Sequence, residues 1–519
     1  MIIHAAGRGA LRARPETTGN ERRASMDISK PMTHGPAAGG AAHGVKCHCA
    51  GCRLNIFVTA APRPPVCPFC HGSLEHARFQ PPPAQPIDAE ENIEERLRVL
   101  YRKPPHWMVL GLAFAGTLLL SIAVYFQVRN IEHYWYSPTV NIYSLIVGLF
   151  IVSRFVFSAF YTPPPRVGHA PTVSVIIPCM NEEKVIARSI ARVYAEGYSG
   201  DKLEVVAVND GSTDHTLDEM LRAQAAFPEL VVVDFERNRG LCYGMAAATL
   251  LARGDILVFV DSDTFLMPGA VGKLVQGFID PTVGGIAGHC DVENMSVNVL
   301  TKMQDVRYFF SYKIMKAAES VFGMVSCLPG CFSAYRRACV LHVLDDWMNE
   351  TIWGVRGNWG DDRSLTNLIL KDYRILYDDE ALATTIAPDN WRQYTRQQAR
   401  WMRSSLRGIA AATSFVWRKH PLPALSWYAM MFLPIIEPFI MVQALVVTPI
   451  RQGRVTFSYI FGVFAITMIW SLYHLQKTGR RHWWSGFVFT LTYIGFYSWQ
   501  IYYAFFTLLN RKWGTRGAA

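Results

Sequence analysis

Four short runs in this 519-residue chain hold side chains able to do chemistry together. Asp261-Ser-Asp263 puts two carboxylates on one turn, where one can hold a hard divalent cation bridging the oxygens of a diphosphate. Asn209-Asp210-Gly-Ser-Thr-Asp214 offers a carboxylate to a base or ribose, or, read locally, a turn and a helix cap. Gly360-Asp-Asp-Arg363 adds two more carboxylates, which read locally as the start of an exposed helix. Gln397-Gln-Ala-Arg-Trp401 joins a cation to an indole, which, read locally, suit an interfacial helix at headgroup level. An Asp-x-Asp alone is common by chance. Its order with the other three is far more specific, and the chemistry they share is that of a nucleotide-sugar.

A different chemistry stands near the N-terminus. Of 11 cysteines, five lie between Cys47 and Cys70, and four of these form Cys49-Ala-Gly-Cys52 and Cys67-Pro-Phe-Cys70. Two such knuckles can present four thiolates to one tetrahedral Zn²⁺, predicting a small zinc ribbon over residues 46–79; the alternative is a group of reduced thiols without metal. Four protein ligands would leave no open position for substrate, so the ribbon reads as a docking or regulatory element with a protein partner. Residues 1–45 have no apolar core and read as disordered, and the Pro-rich stretch within 80–105 reads as a linker.

The elements that must position these runs follow from hydropathy. Half of the residues are hydrophobic and only 18% are charged, below the ~25% of a soluble domain, so part of the chain lies in lipid. Within 106–161, Trp107 to Val128 and Val140 to Tyr161 are each long enough to cross a bilayer. Arg154 is expected to snorkel toward the cytosolic end of the second span. Three more apolar stretches fill 423–509, the last of them read as crossing, interfacial or re-entrant, with a cytosolic tail at 510–519. Glu437, between Pro434 and Pro438, is either functional or hydrogen-bonded to a neighbouring helix. Cations before the first span place the N-terminus and everything after Tyr161 on the cytosolic side of the plasma (inner) membrane. The net charge of +10 belongs to these membrane flanks, and no nucleic-acid partner is expected.

Between the membrane blocks, residues 166–420 alternate β-branched runs with helix-like segments, which predicts an α/β domain with a mostly parallel sheet. The runs Thr172–Pro178, Leu203–Val208, Leu230–Phe235 and Ile256–Val260 are the strands. Polar residues collect at their carboxyl ends, where ligands bind in such sheets.

Taken in order, Val-Ile-Ile-Pro178, Asn209-Asp-Gly-Ser-Thr-Asp214, Asp261-Ser-Asp263, Gly360-Asp-Asp-Arg363 and Gln397-Gln-Ala-Arg-Trp401 resemble the processive family-2 glycosyltransferases, over about Trp107 to Gly517. Within that family Asp362-Arg-Ser-Leu-Thr-Asn367 and Trp513-Gly-Thr-Arg516 are similar to hyaluronan synthases. Cys327-Leu-Pro-Gly-Cys-Phe-Ser333 is nearer chitin synthases, and the bacterial chitooligosaccharide synthases of nodulation belong to the same group. The resemblance implies a GT-A type domain inserted between transmembrane helices and an inverting transfer from UDP-GlcNAc, with or without UDP-glucuronate, to a growing polysaccharide.

It assigns the uridine to Asp210, assistance at the nucleotide to Asp261, Mg²⁺ or Mn²⁺ to Asp263, and the general base to Asp362. Gln397, Arg400 and Trp401 would bind substrate, with Arg400 on the leaving diphosphate and Trp401 against the acceptor sugar, and Trp513 and Arg516 would approach the nucleotide. One position departs: family members carry Lys after the Gly of the loop opening the third helix, where this chain has Asn238-Arg-Gly-Leu241. That departure admits another donor, weaker activity, or a catalytically silent membrane scaffold recruited by the ribbon.

Overall fold

The computed structural model describes residues 44–64, 66–83, 87, 106–133, 138–352, 355–356, 362–453 and 455–510. The expectations for residues 1–43, most of the 80–105 linker, Asp361, Trp513, Arg516 and the tail fall outside them.

Three strands come first: β1 (Gly44–Cys49), β2 (Leu54–Val58) and β3 (Glu75–Phe79). The strands expected from the β-branched runs follow as β4 (Val173–Cys179), β5 (Leu203–Asp210), β6 (Val231–Phe235) and β7 (Ile256–Phe259). Then come β8 (Thr264–Leu266), β9 (Val283–Val292), β10 (Ser333–Arg336), the two-residue hairpin β11 (Thr351–Ile352) and β12 (Val355–Arg356), and β13 (Arg374–Thr385). All but the hairpin join one sheet in the order β3-β1-β2-β6-β5-β4-β7-β10-β9-β13-β8.

The sheet is mixed, which corrects the mostly parallel expectation. β6, β5, β4 and β7 run parallel, but β10 is antiparallel to both β7 and β9, and β8 is antiparallel to β13. β10 is four residues long, and β13 carries Asp378, Asp379 and Glu380 in its middle, so neither shows an apolar run.

The ribbon is not a separate domain either. β2 pairs antiparallel with β6, Leu54 opposite Phe235 and Phe57 opposite Val232, so the cysteine segment extends the glycosyltransferase sheet. The physical reason is core size: so short a segment cannot bury its own apolar face. Leu54 and Ile56 are fully buried in the same cluster as Val206 and Val232.

Among the described residues, three helices are long and apolar enough to cross a membrane: Pro138–Ala159, Pro421–Gln452 and Phe457–Thr478. The helix His106–His133 runs antiparallel to the last of these, with Phe126 stacked on Phe461 at 5.5 Å and Gly116 facing Met468 and Leu472. Exposed Leu110, Phe114, Leu118, Leu145 and Leu149 give these helices an apolar outer surface. The last apolar stretch is broken into Ser485–Gly495 and Gln500–Phe506, neither long enough to span alone.

Arg154 does not snorkel. It is buried, donates from Nη1 to Ser426 Oγ at 2.9 Å and lies 5.3 Å from the rings of Phe150 and Phe157, because the helix Pro421–Val442 offers it a polar partner inside the bundle. Glu437 lies beside Tyr493 of a neighbouring helix.

Candidate active site

The site forms at the carboxyl ends of β4, β5 and β7, where the parallel strands deliver Glu182, Asp210 and Asp261 to one side of the sheet. Asp263 lies in the turn between β7 and β8. Thr385 Oγ1, at the end of β13, donates to its carboxylate at 3.3 Å, and its carbonyl accepts from Ile386 N–H at 3.3 Å. Asp362 starts the helix Asp362–Leu370, its Oδ1 accepting from the Arg363 N–H at 2.9 Å.

Gly330 joins the distant carboxylates. Its N–H donates to Asp362 Oδ2 at 3.1 Å, and a methyl group on its Cα would stand 3.0 Å from Asp261 Oδ1. Residues 101 positions apart in the chain thus face each other across one glycine. Enclosure, then the neighbouring Asp263 and Asp362, push the Asp261 carboxyl up to about 7, against the pull of Arg400. The three carboxylates are close enough to repel one another but do not converge as a three-ligand cluster, so a divalent cation here would draw on Asp263 and on the oxygens of a bound diphosphate. Arg400 faces the same cluster from the helix Trp391–Ala412.

That helix starts at Asn390, whose side chain accepts from the Gln393 N–H at 3.0 Å. Its far end is tied to the helix Asp362–Leu370 by Asn367 Nδ2 donating to Gly408 O at 2.7 Å, and to the end of the broken apolar segment by Arg407 donating to Leu508 O at 3.1 Å. Trp401 is half-buried beside the cleft, with the Arg307 guanidinium 5.3 Å from its ring and Tyr308 at 6.3 Å. Arg307 also donates to Gln398 Oε1 at 2.5 Å, and the adjacent Gln397 is half-buried. The role of Arg307 was not visible in the sequence. The Asn298–Thr301 capping box that opens its helix, Val299–Phe310, was the available signal.

Asp210 is held differently from the others. Its Oδ1 accepts from Arg239 N–H at 2.7 Å and its Oδ2 from Gly240 N–H at 2.9 Å, which fixes the loop before the helix Leu241–Leu251. Each oxygen retains a second lone pair for a ligand. Burial raises the Asp210 carboxyl, and the two amides oppose the rise.

The loop closes onto Gly211, whose φ is +67° and whose added Cβ would meet Asn238 N at 2.3 Å. Gly211→Ala should therefore displace residues 237–240 at a cost of ~1–3 kcal/mol, from the positive φ alone. A matching fall in nucleotide affinity, read by UDP titration, checks it.

No cation follows Gly240, and Arg239 turns away from the cleft to donate to Cys52 O at 2.8 Å.

The four ribbon cysteines do converge. Their sulfurs all lie within 4.8 Å of one another, with Cys49–Cys70 at 3.6 Å and Cys52–Cys67 at 3.7 Å. Tetrahedral Zn–S bonds of about 2.3 Å require sulfurs about 3.8 Å apart, so the donor set fits zinc. Each knuckle ends on a left-handed residue directly after its second cysteine, Arg53 at φ 50° and His71 at φ 54°.

Residues 174–343 match the family model described as Glycosyl transferase family 2. The chain is 34% identical over 247 residues to an N-acetylglucosaminyltransferase of Rhizobium leguminosarum bv. viciae, covering 47% of this chain and 57% of that protein. It is 26% identical over 408 residues to a hyaluronan synthase of Streptococcus pyogenes, covering 77% of this chain and 95% of that protein. It therefore spans little more than half the length of the N-acetylglucosaminyltransferases it matches. A mannosyltransferase of Pyrobaculum calidifontis, solved with GDP-Man and Mn²⁺, aligns at a TM-score of 0.49 and 20% identity, covering 68% of this chain and 99% of that one.

The mixed sheet with carboxylates at its strand ends is a glycosyltransferase domain of the GT-A type. Residues 174–343 are thus a family-2 glycosyltransferase domain, and the chain is similar to hyaluronan synthases and to rhizobial N-acetylglucosaminyltransferases.

Proposed function

We propose that this chain is a processive, inverting membrane synthase that builds a β-linked, N-acetylglucosamine-containing polysaccharide from UDP-sugars on the cytosolic side of the plasma membrane. The observation that carries the reading is the convergence of Asp261, Asp263, Asp362 and Arg400 on one cleft beside an amphipathic helix tied to membrane segments. Asp362 takes the proton from the acceptor hydroxyl as its oxygen bonds to the anomeric carbon, and the bond from that carbon to the UDP oxygen breaks on the opposite face. UDP departs with both electrons of that bond. Mg²⁺ or Mn²⁺, held by Asp263 with Asp261 beside it, would supply positive charge to the leaving diphosphate.

Arg400 adds a fixed cation where that charge develops. Gln397 and Trp401 orient the acceptor sugar, and the tie from Arg407 to Leu508 supports a path for the new chain end along the apolar helices, away from lipid. Asp210 receives the uridine. Trp513 and Arg516 complete the nucleotide side. Zn²⁺ on Cys49, Cys52, Cys67 and Cys70 is structural.

The second reading, a chitin or chitooligosaccharide synthase using UDP-GlcNAc alone, draws support from the 34% identity to the rhizobial enzymes. Membranes given labelled UDP-GlcNAc, with and without UDP-glucuronate, decide between them. Polymer that needs both donors supports hyaluronan, polymer from one donor supports the chitin-like product, and none with either donor leaves the silent scaffold.

A further inference from the structure

From the way the cysteine ribbon is stitched into the sheet, we infer that it is a metal-dependent brace for the nucleotide loop, so that zinc occupancy sets affinity for the donor. The inference rests on the proposed reading that Asp210, held by the loop at residues 239–240, receives the uridine. Two separate hydrogen-bond chains connect the knuckles to that loop. In the first, Arg239 uses its backbone N–H to hold Asp210 and its guanidinium to hold the carbonyl of the metal-ligating Cys52, 2.7 and 2.8 Å respectively, while its side chain lies 5.7 Å from the ring of Phe235. The carbonyl it grips belongs to a cysteine whose position the metal would fix. In the second, Asn55 of β2 donates to Asp234 at 3.1 Å, and Asn209 donates to the other oxygen of Asp234 at 2.8 Å.

Asn209 Oδ1 then accepts from the Ser212 N–H at 3.2 Å, and Ser212 Oγ accepts from the Asn181 N–H at 2.9 Å, so the chain ends within the turn that carries Asp210. Asn55, Asn209 and Asp234 are all buried. A network satisfied this completely has few alternative arrangements, so a shift at the knuckle moves the turn.

Nothing in these contacts requires a partner protein; the ribbon's occupant on this face is the glycosyltransferase domain itself. Arg239 and Asn55 are positioning residues, acting through Asp210 and Asn209.

The experiment uses the full chain in detergent, measuring zinc content, UDP affinity by calorimetry, and KM and kcat for donor. Cys70→Ser should lose zinc and weaken UDP binding about tenfold, whereas Arg239→Met should keep zinc and weaken it to a similar degree. In both, kcat at saturating donor should stay within about twofold, because the carboxylates around Asp261 are untouched. Arg239→Lys, which keeps one donor toward Cys52, should recover part of the loss, and Cys70→Ser combined with Arg239→Met should bind UDP no more weakly than the weaker single variant, since both cut one path. Unchanged UDP affinity in zinc-free Cys70→Ser, or in zinc-loaded Arg239→Met, overturns the inference. Wild-type protein that binds no uridine nucleotide overturns the proposed function itself, and is told apart because the variants then have no affinity to lose.

Discussion

Asp362→Asn is expected to lower polymer synthesis by about 10²- to 10⁴-fold, the range a positioned general base contributes, while UDP still binds. The amide keeps the shape of the side chain and can still accept the Gly330 N–H through its one oxygen while giving up the contact to the Arg363 N–H, so the loop at 330 should stay in place. What is lost is the capacity to take a proton from the acceptor. The substitution also removes one of the charges that raise Asp261, so Asp261 should titrate nearer the ordinary carboxylate range in the variant. Initial rates with labelled donor and a UDP titration on the same preparation check both halves; full synthesis by Asp362→Asn would remove this residue as the base.

The second large effect concerns stability. Asp305, on the helix Val299–Phe310, is fully buried and accepts from His474 at 3.1 Å, His482 at 2.6 Å and Arg480. Arg480 also pairs with Asp291 at the end of β9, at 3.2 Å. This cluster fastens the glycosyltransferase sheet to the C-terminal end of the helix Phe457–Thr478. Because Arg480 already occupies one of the Asp305 oxygens, it is an ion-pair lock in which the cation is a side chain.

Asp305→Ala would leave Arg480 and two imidazoles short of their shared acceptor, and breaking a buried pair from one side costs ~3–5 kcal/mol. A lower unfolding temperature in detergent, together with a loss of activity that substrate does not restore, is the expected result. Asp280→Ala, which opens the exposed pair to Arg374 at 3.0 Å, should change stability by less than ~1 kcal/mol. Burial opposes ionisation of Asp305, but Arg480 and the histidines overcome it and hold the carboxyl far below its usual range. A depressed carboxylate stabilises fully above its unfolded value of about 4 and loses that contribution only as pH falls through the folded value. The lock is thus intact at neutral pH and should weaken only in strong acid.

Much of the site was legible because its parts are local. Asp210, Asp261 and Asp263 sit at the ends of β-branched runs, where the chain has little choice of position, and β4 to β7 begin and end within a residue or two of those runs. Asp362, Gln397, Arg400 and Trp401 were readable only through the order of motifs, since nothing in their spacing says that a helix beginning at Asp362 must face the turn at Asp261. What was not legible depends on partners far away in the chain. The ribbon's union with β6 needs the chain to fold back over a separation of 179 positions between Asn55 and Asp234. Arg154 reads as a snorkelling cation as long as the helix carrying Ser426 is left out of account. The mixed sheet escaped for a similar reason, because β13 is acidic in its middle and its strand character comes from β9 alongside it rather than from its own pattern.

The pairing of β2 with β6 has a consequence for the chain's solubility as it emerges from the ribosome. β6 is Val-Val-Val-Asp-Phe, wholly buried, and without its cover it would present a row of unsatisfied amide and carbonyl groups flanked by branched side chains, a template for strand addition by another molecule. The covering strand is made earlier in synthesis than the strand it covers, so it is available when β6 appears. Seen this way, the cysteine knuckles guard the nascent sheet against self-association.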